Sequence, residues 1–297
     1  MTIGFIGLGK MGMGIVERLC EKQHTVVAFD KNAEAMRNAA ACGAQTPESF
    51  EALTEGLRPP RTIWLMLPHG VVDSALTELT PFVTPDDTII DGGNSFYKDS
   101  MRRADELKKR GIHFLDAGVS GGPAGAKDGA CVMIGGEREI FERLEDLFRD
   151  LAAPGAYAYL GASGAGHFAK MIHNGMEYGI MQSIAEGFSI LKNAPLDFNL
   201  MMVAALYNRR SVIESRLIGW LVDAYQEYGA DLDPVSAGVE QSGEGLWTVE
   251  TAKELGINAP VIAASVEFRS RSRDNPTYSG KILTALRNRF GGHDIKP

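Results

Sequence analysis

Ile3-Gly-Phe-Ile-Gly-Leu-Gly-Lys-Met-Gly-Met-Gly14 constrains this chain more than any other stretch. A short apolar run passes through glycines into a helical pattern carrying Ile15, Val16, Leu19 and Cys20. Gly7, Gly9 and Gly12 stand at the spacing of a dinucleotide fingerprint. Glycines there permit a tight turn, close approach of backbone to a pyrophosphate, and close helix–strand packing. A second strand, Thr25-Val-Val-Ala-Phe29, follows the helix and ends in Asp30. A carboxylate at that tip accepts hydrogen bonds from ribose hydroxyls and repels a 2′-phosphate, so NAD is the expected cofactor. Gly7, Leu8, Gly9, Lys10, Met11, Gly12 and Asp30 are the candidate residues for it.

Strand and helix patterns then alternate. Thr62–Leu67, Thr88–Ile90 and Ile112–Ala117 read as strands, and Val71–Phe82 and Lys98–Arg110 as helices. This predicts an α/β fold, a Rossmann-type doubly wound sheet. Ligands of such sheets bind beyond the carboxyl ends of the strands, which brings in Leu67, Pro68 and Asn94. Val119-Ser-Gly-Gly-Pro-Ala-Gly125 reads as a glycine loop whose Ser120 hydroxyl and backbone N–H groups at Gly121 and Gly122 suit a substrate carboxylate or hydroxyl. Ala130–Ile134 and Ala156–Leu160 are expected strands around a helix over Arg138–Leu151. From Gly161 the strand patterns stop. Helices are expected from there through Lys192, then from Asp197 and over Arg209–Tyr228, Glu244–Leu255, Pro260–Arg273 and Ser279–Phe290. The expected organisation is a dinucleotide-binding domain over 1–162 and an all-α domain over 163–297, with a cleft between them.

At 297 residues, two domains are the natural division, and 44% hydrophobic with 23% charged residues fits a soluble globular chain. A net charge of -8 argues against a general nucleic-acid or anionic-membrane surface. Cys20, Cys42 and Cys131 form neither a disulfide framework nor a metal-ligand pattern, so no metal and a cytoplasmic setting are expected. No export signal or membrane span is expected either.

The chemistry concentrates in Gly164-Ala-Gly-His-Phe-Ala-Lys-Met-Ile-His-Asn-Gly-Met-Glu-Tyr-Gly179. On a helix at about 100° per residue, Lys170, His173, Asn174, Glu177 and Tyr178 share an arc of about 140°. The stripe mixes an amine, an imidazole, an amide and a carboxylate where a solvated face would repeat charge pairs. Its opposite face, with Phe168, Ile172 and Gly175, is apolar. A base and an acid on one such stripe suit proton transfer to and from a bound substrate.

These motifs resemble the decarboxylating 6-phosphogluconate dehydrogenases of the wider β-hydroxyacid dehydrogenase group. The likeness runs through Gly7-Leu-Gly-Lys-Met-Gly12, Ile89-Ile-Asp-Gly-Gly-Asn-Ser95, Val119-Ser-Gly-Gly-Pro-Ala-Gly-Ala126, the helix stripe, and Arg287-Asn-Arg-Phe-Gly-Gly-His293. It implies oxidative decarboxylation of 6-phosphogluconate by the short, NAD-dependent branch. Lys170 takes the part of general base and Glu177 of general acid, with Asn174 beside them. Asn94, Ser120, Gly121, Gly122, His173, Asn174 and Tyr178 become substrate contacts. Arg269 or Arg271, with Arg287 and His293, becomes the phosphate site. The resemblance further implies a homodimer, or a dimer-based tetramer, in which the tail crosses into the partner's site. One departure stands out: where the long-chain members carry Lys-Gly-Thr-Gly-Lys-Trp, this chain has Ser242-Gly-Glu-Gly-Leu-Trp247. The competing readings are an NAD-dependent dehydrogenase of another 3-hydroxy acid, such as an unphosphorylated aldonate or 3-hydroxyisobutyrate, and a nucleotide-sensing binding module.

Overall fold

A computed structural model describes residues 1–240 and 243–296; Ser242 of the departing stretch lies outside them. The apolar run and its glycines become strand β1 (Thr2–Ile6) and helix α1 (Lys10–Glu21), and β2 (Thr25–Phe29) pairs with β1 in parallel. There follow α2 (Ala33–Ala41), α3 (Phe50–Glu55), β3 (Thr62–Leu65), α4 (His69–Leu79), β4 (Thr88–Asp91), α5 (Tyr97–Lys108) and β5 (His113–Ser120). After α6 (Gly122–Asp128) come β6 (Ala130–Gly136), α7 (Arg138–Arg143), α8 (Glu145–Leu151) and β7 (Ala152–Gly161). Among the described residues one sheet runs in the order β2-β1-β3-β4-β5-β6-β7; β5 and β6 are its antiparallel pair, so β6 and β7 run opposite to the first five strands.

Both sheet faces are covered, as parallel strands require. Alternate strand residues supply the two faces. Phe5, Trp64, Ile90 and Leu115 pack with Val16, Leu19 and Phe148, while Ile63, Leu65, Ile89 and Phe114 pack with Leu53, Leu79 and Leu107. The expected doubly wound architecture is the observed one.

Two local expectations give way, and one element lies where none was expected. The glycine loop after Ser120 winds into α6, because Gly14 of α1 has so little side chain that Ala126 and Pro123 come within about 3 Å of where a Cβ would stand. The helix expected over Arg138–Leu151 breaks at the buried Leu144, at φ -107°. Helix α2 went unread because Ala39 is its one buried residue, so no apolar stripe marks it.

The chain forms two compact units, the first Met1–Met171 and the second starting at Ile172. The division falls inside α9 (Ala165–Lys192), an unbroken helix. The second unit is helical among its described residues: the rest of α9, then α10 (Leu200–Tyr207), α11 (Arg216–Tyr228), α12 (Glu244–Glu254), α13 (Pro260–Arg271) and α14 (Tyr278–Gly291). Its core joins Met181, Ala185 and Phe188 of α9 to Leu221 and Tyr225 of α11 and to Ile282 and Leu286 of α14. Helix α11 starts later than its apolar pattern suggests. Arg210 sits at φ 61°, outside helical backbone, and the Ser215 hydroxyl caps Ile218 N–H. Among the described residues no helix is long and apolar enough to cross a membrane.

Candidate active site

The first unit builds a cradle at the carboxyl ends of its strands. Gly7 turns at φ 100°, and a Cβ there would lie 2.4 Å from Met66 O; one on Gly12 would lie 2.0 Å from Gly7 O. A Cβ on Gly9, the residue that opens α1, would meet nothing within 4 Å. Two glycines thus permit the turn, and the third leaves space in front of a helix N-terminus, where backbone N–H groups and the helix dipole favour a phosphate. Asp30 is tied to this turn: its carboxylate accepts from Leu8 N at 2.6 Å and from Asn32 N at 2.8 Å. Each oxygen keeps a second lone pair for a ribose hydroxyl. Lys10 is exposed, Met11 half-buried and Leu8 buried beneath the turn. The residues present fit a dinucleotide.

Leu67 and Pro68 lie in the loop between β3, which stops at Leu65, and α4, and Leu67 O lies 2.4 Å from where Gly93 would carry a Cβ, so the loops after β3 and β4 are pressed together. A buried network that the sequence reading did not include shapes the second loop. Asp91, fully buried, accepts from Gly93 N at 3.1 Å, Ser95 Oγ at 2.6 Å and Arg103 at 3.2 Å, and Arg103 also holds Asp73 at 2.7 Å. Asn94 stands exposed at the tip of that loop. The guanidinium of Arg103 and its hydrogen bonds hold the Asp73 carboxyl below its usual range.

Ser120 closes β5, and Gly121 and Gly122, both half-buried, turn at φ 135° and 65° to start α6. On the same strand, a Cβ at Gly118 would lie 2.4 Å from the Cβ of Lys170. The Lys170 stem therefore lies directly on the strand, and the side chain is 8% exposed. Asp116, fully buried two residues earlier, accepts from Gly164 N at 2.6 Å and His167 N at 2.8 Å, the free N–H groups at the start of α9. His167 Nδ1 lies 2.7 Å from the buried Ser100 hydroxyl. Gly118, Asp116, Ser100 and His167 were all missed. The readable signal was a glycine inside an apolar strand, which marks a close approach.

In the second unit, α9 presents His173, Asn174, Glu177 and Tyr178. His173 Nδ1 lies 3.2 Å from Asn174 Oδ1 and 3.8 Å from Glu177 Oε2. Tyr178 is buried, with the guanidinium carbon of Arg269 3.3 Å from its ring centroid. Arg269 and Arg287 are 3% and 7% exposed, and among the described residues neither has a carboxylate within ion-pair distance. The Nε of Arg269 is buried with no hydrogen-bond partner. Burial lowers Arg269 to about 10 and lowers Arg287 too, and both stay cationic at neutral pH. Burial raises the Tyr178 hydroxyl, which remains a neutral donor. Arg271 is not part of this group: its side chain is 71% exposed and bonds Glu267 at 2.6 Å. His293 is exposed beyond α14, edge-on to Phe290.

Residues 2–161 match the family model of the NAD binding domain of 6-phosphogluconate dehydrogenase, and residues 166–294 that of the 6-phosphogluconate dehydrogenase C-terminal domain. YqeC of Bacillus subtilis is 47% identical over 293 residues, which covers 99% of this chain and 98% of that protein. A decarboxylating, NAD(+)-dependent 6-phosphogluconate dehydrogenase of Haloferax volcanii is 40% identical over 297 residues, covering 99% and 98%. Among solved structures, the 6-phosphogluconate dehydrogenase of Plasmodium falciparum superposes with a TM-score of 0.80 at 27% identity, over 99% of this chain and 66% of that one. A 3-hydroxyisobutyrate dehydrogenase of Mycobacterium tuberculosis reaches 0.74 at 22% identity over 96% and 99%, a likeness of fold alone.

Proposed function

The chain belongs to the 6-phosphogluconate dehydrogenase family, and from that premise we propose that it oxidises and decarboxylates 6-phospho-D-gluconate to D-ribulose 5-phosphate and CO2 with reduction of NAD. The observation that carries this reading is a pair of buried guanidiniums, Arg269 on the Tyr178 ring and Arg287 within electrostatic reach of both. Buried cations without a contact ion pair are costly, and a phosphate with bidentate acceptors offsets that cost. An unphosphorylated hydroxy acid carries its one carboxylate at the reacting end and brings no second anion to the arginines.

The roles follow from placement. Bound NAD supplies the acceptor for a hydride from C3. Lys170, its stem fixed on Gly118, takes the 3-hydroxyl proton as that hydride leaves. The resulting ammonium then donates to the C3 oxygen while the bond to CO2 breaks and electrons move onto that oxygen. Glu177, about two turns further along the same unbroken helix, protonates the carbon that lost CO2. Asn174 and His173 orient hydroxyls; Ser120, Gly121, Gly122 and Asn94 hold the sugar-acid end; Arg269, Arg287, Tyr178 and His293 hold the phosphate. Asp30 selects NAD over NADP. Residues 1–162 then act as the cofactor domain and the rest as the substrate and dimerisation domain.

We assign the active form to a homodimer or a dimer-based tetramer. Helix α10 is apolar, yet Met202 and Leu206 are 65% and 66% exposed, and Val212 and Ile213 nearby are exposed as well. A second copy of the same surface would cover them. Three unpaired cysteines support a cytoplasmic setting.

The test is a panel of 6-phosphogluconate, gluconate and 3-hydroxyisobutyrate with NAD and NADP, following reduced cofactor and CO2 together. Equal amounts of NADH and CO2, and a kcat/KM for the phosphorylated acid at least about a hundredfold above gluconate, are expected. NADH without CO2, or gluconate within a few fold, overturns the assignment. Equal use of NADP removes the role given to Asp30.

A further inference from the structure

Within the second unit, the arginine pair has an unusual neighbour. Helix α12 starts at Glu244, and its first turn is pressed on α9: a Cβ on Gly245 would lie 2.5 Å from Tyr178 Cε2, and one on Gly175 would lie 2.6 Å from Thr248 Cγ2. Tyr178 is therefore held at its edge by α12 and on its face by Arg269. Glu244, adjacent to that contact, is 5% exposed. A buried carboxylate needs cationic compensation. The charges that act on this group are Arg269 and Arg287 on one side and Glu244, Glu177 and Glu240 on the other, and both Tyr178 and Arg287 sense Glu244.

We propose that Glu244 is a built-in counter-ion for the arginine pair, which competes with the ligand's phosphate and so sets how strongly the site prefers a phosphorylated substrate. The proposal rests on the substrate reading above. Neither arginine is locked in a contact ion pair with a carboxylate among the described residues, so both keep donors for a ligand anion. An arriving phosphate gains two guanidiniums but is repelled by a carboxylate that acts on Arg287 and on the Tyr178 hydroxyl between them. In a poorly solvated group that repulsion is hardly screened. The result is a phosphate site with a ceiling on its affinity. The same carboxylate offsets part of the buried charge of Arg287 when no ligand is bound.

The experiment compares the full chain with Glu244→Gln, which removes the charge at constant shape, Glu244→Thr, which removes it with a smaller polar group, and Glu244→Asp, which keeps it. Thermal unfolding is followed during titration with inorganic phosphate, with sodium chloride at matched ionic strength as control. Steady-state kinetics are measured with 6-phosphogluconate and with gluconate. Expected for Gln and Thr are a lower Tm without phosphate, a gain in apparent phosphate affinity of about tenfold, and a similar rise in the ratio of kcat/KM for phosphorylated over unphosphorylated acid. The Asp variant should keep the wild-type ratio. Phosphate affinity that is unmoved or weaker in both neutral variants overturns the proposal, and weaker binding would make Glu244 a support for the arginines. If the wild type oxidises neither acid, the substrate reading fails by itself, and the phosphate titration still decides the role of Glu244.

Discussion

Arg269 and Arg271 show what one residue's surroundings decide. Two positions apart on a helix, they diverge by about 200°, so one at most can face a given ligand. The sequence offers no means of choosing, because the choice depends on which side of α13 packs against α9. The structure puts Arg269 on Tyr178 and Arg271 in solvent with Glu267. Arg269→Ala should therefore raise KM for 6-phosphogluconate by about a hundredfold, the scale of removing one buried member of a charged contact. Arg271→Ala should stay within about twofold, since an exposed pair contributes little. A KM series on the two variants checks this, and equal losses would place the phosphate elsewhere. Lys170 is singled out by its stripe, and its test is equally local. Lys170→Met should abolish NADH formation while NAD affinity, measured by calorimetry, stays within about threefold, because the glycine turn is untouched.

At the scale of elements, the glycine turn, the parallel strands and α9 were readable because each repeats a strong local signal, an apolar run or a 3.6-residue stripe. What was not readable was set by partners distant in sequence. Asp116 fixes the start of α9 through Gly164 and His167, contacts that no periodicity announces. Likewise Gly118 looks like a weak strand residue until Lys170 is laid across it. Gly118→Ala tests that contact. A methyl at 2.4 Å from the Lys170 Cβ forces strand or helix to shift, and a displaced base loses rate steeply. Expected is a fall in kcat of at least about tenfold with NAD affinity retained. Wild-type kcat in a folded Gly118→Ala variant would show that the lysine is positioned by other means.

For the molecule as a whole, the tail decides whether a site is built from one chain or from two. The resemblance implies a tail that leaves its own chain to complete a partner's site. Here α14 is built into its own core through Ile282, Leu283, Ala285 and Leu286, and Arg287 follows them close enough to act on Tyr178 of the same chain. Beyond Gly292, at φ 63°, the backbone turns back: Asn288 donates to His293 O at 2.7 Å, and Ser236 N donates to Ile295 O at 2.7 Å. Pulling this segment away to a second subunit would break those bonds and expose the half-buried Ile295. If the tail keeps these bonds in a dimer formed through the apolar surface of α10, Arg287 stays with Tyr178 of its own chain. Mixing two inactive variants, Asn174→Ala and Arg287→Ala, separates the arrangements. With a donated tail, random reassociation would restore about a quarter of the wild-type sites, because half the dimers are mixed and each holds one intact site. With the tail retained, every site in a mixed dimer lacks one residue or the other. We expect no recovery, with exchange of differently tagged subunits shown in parallel; activity approaching a quarter of wild type would mean that Arg287 serves the partner.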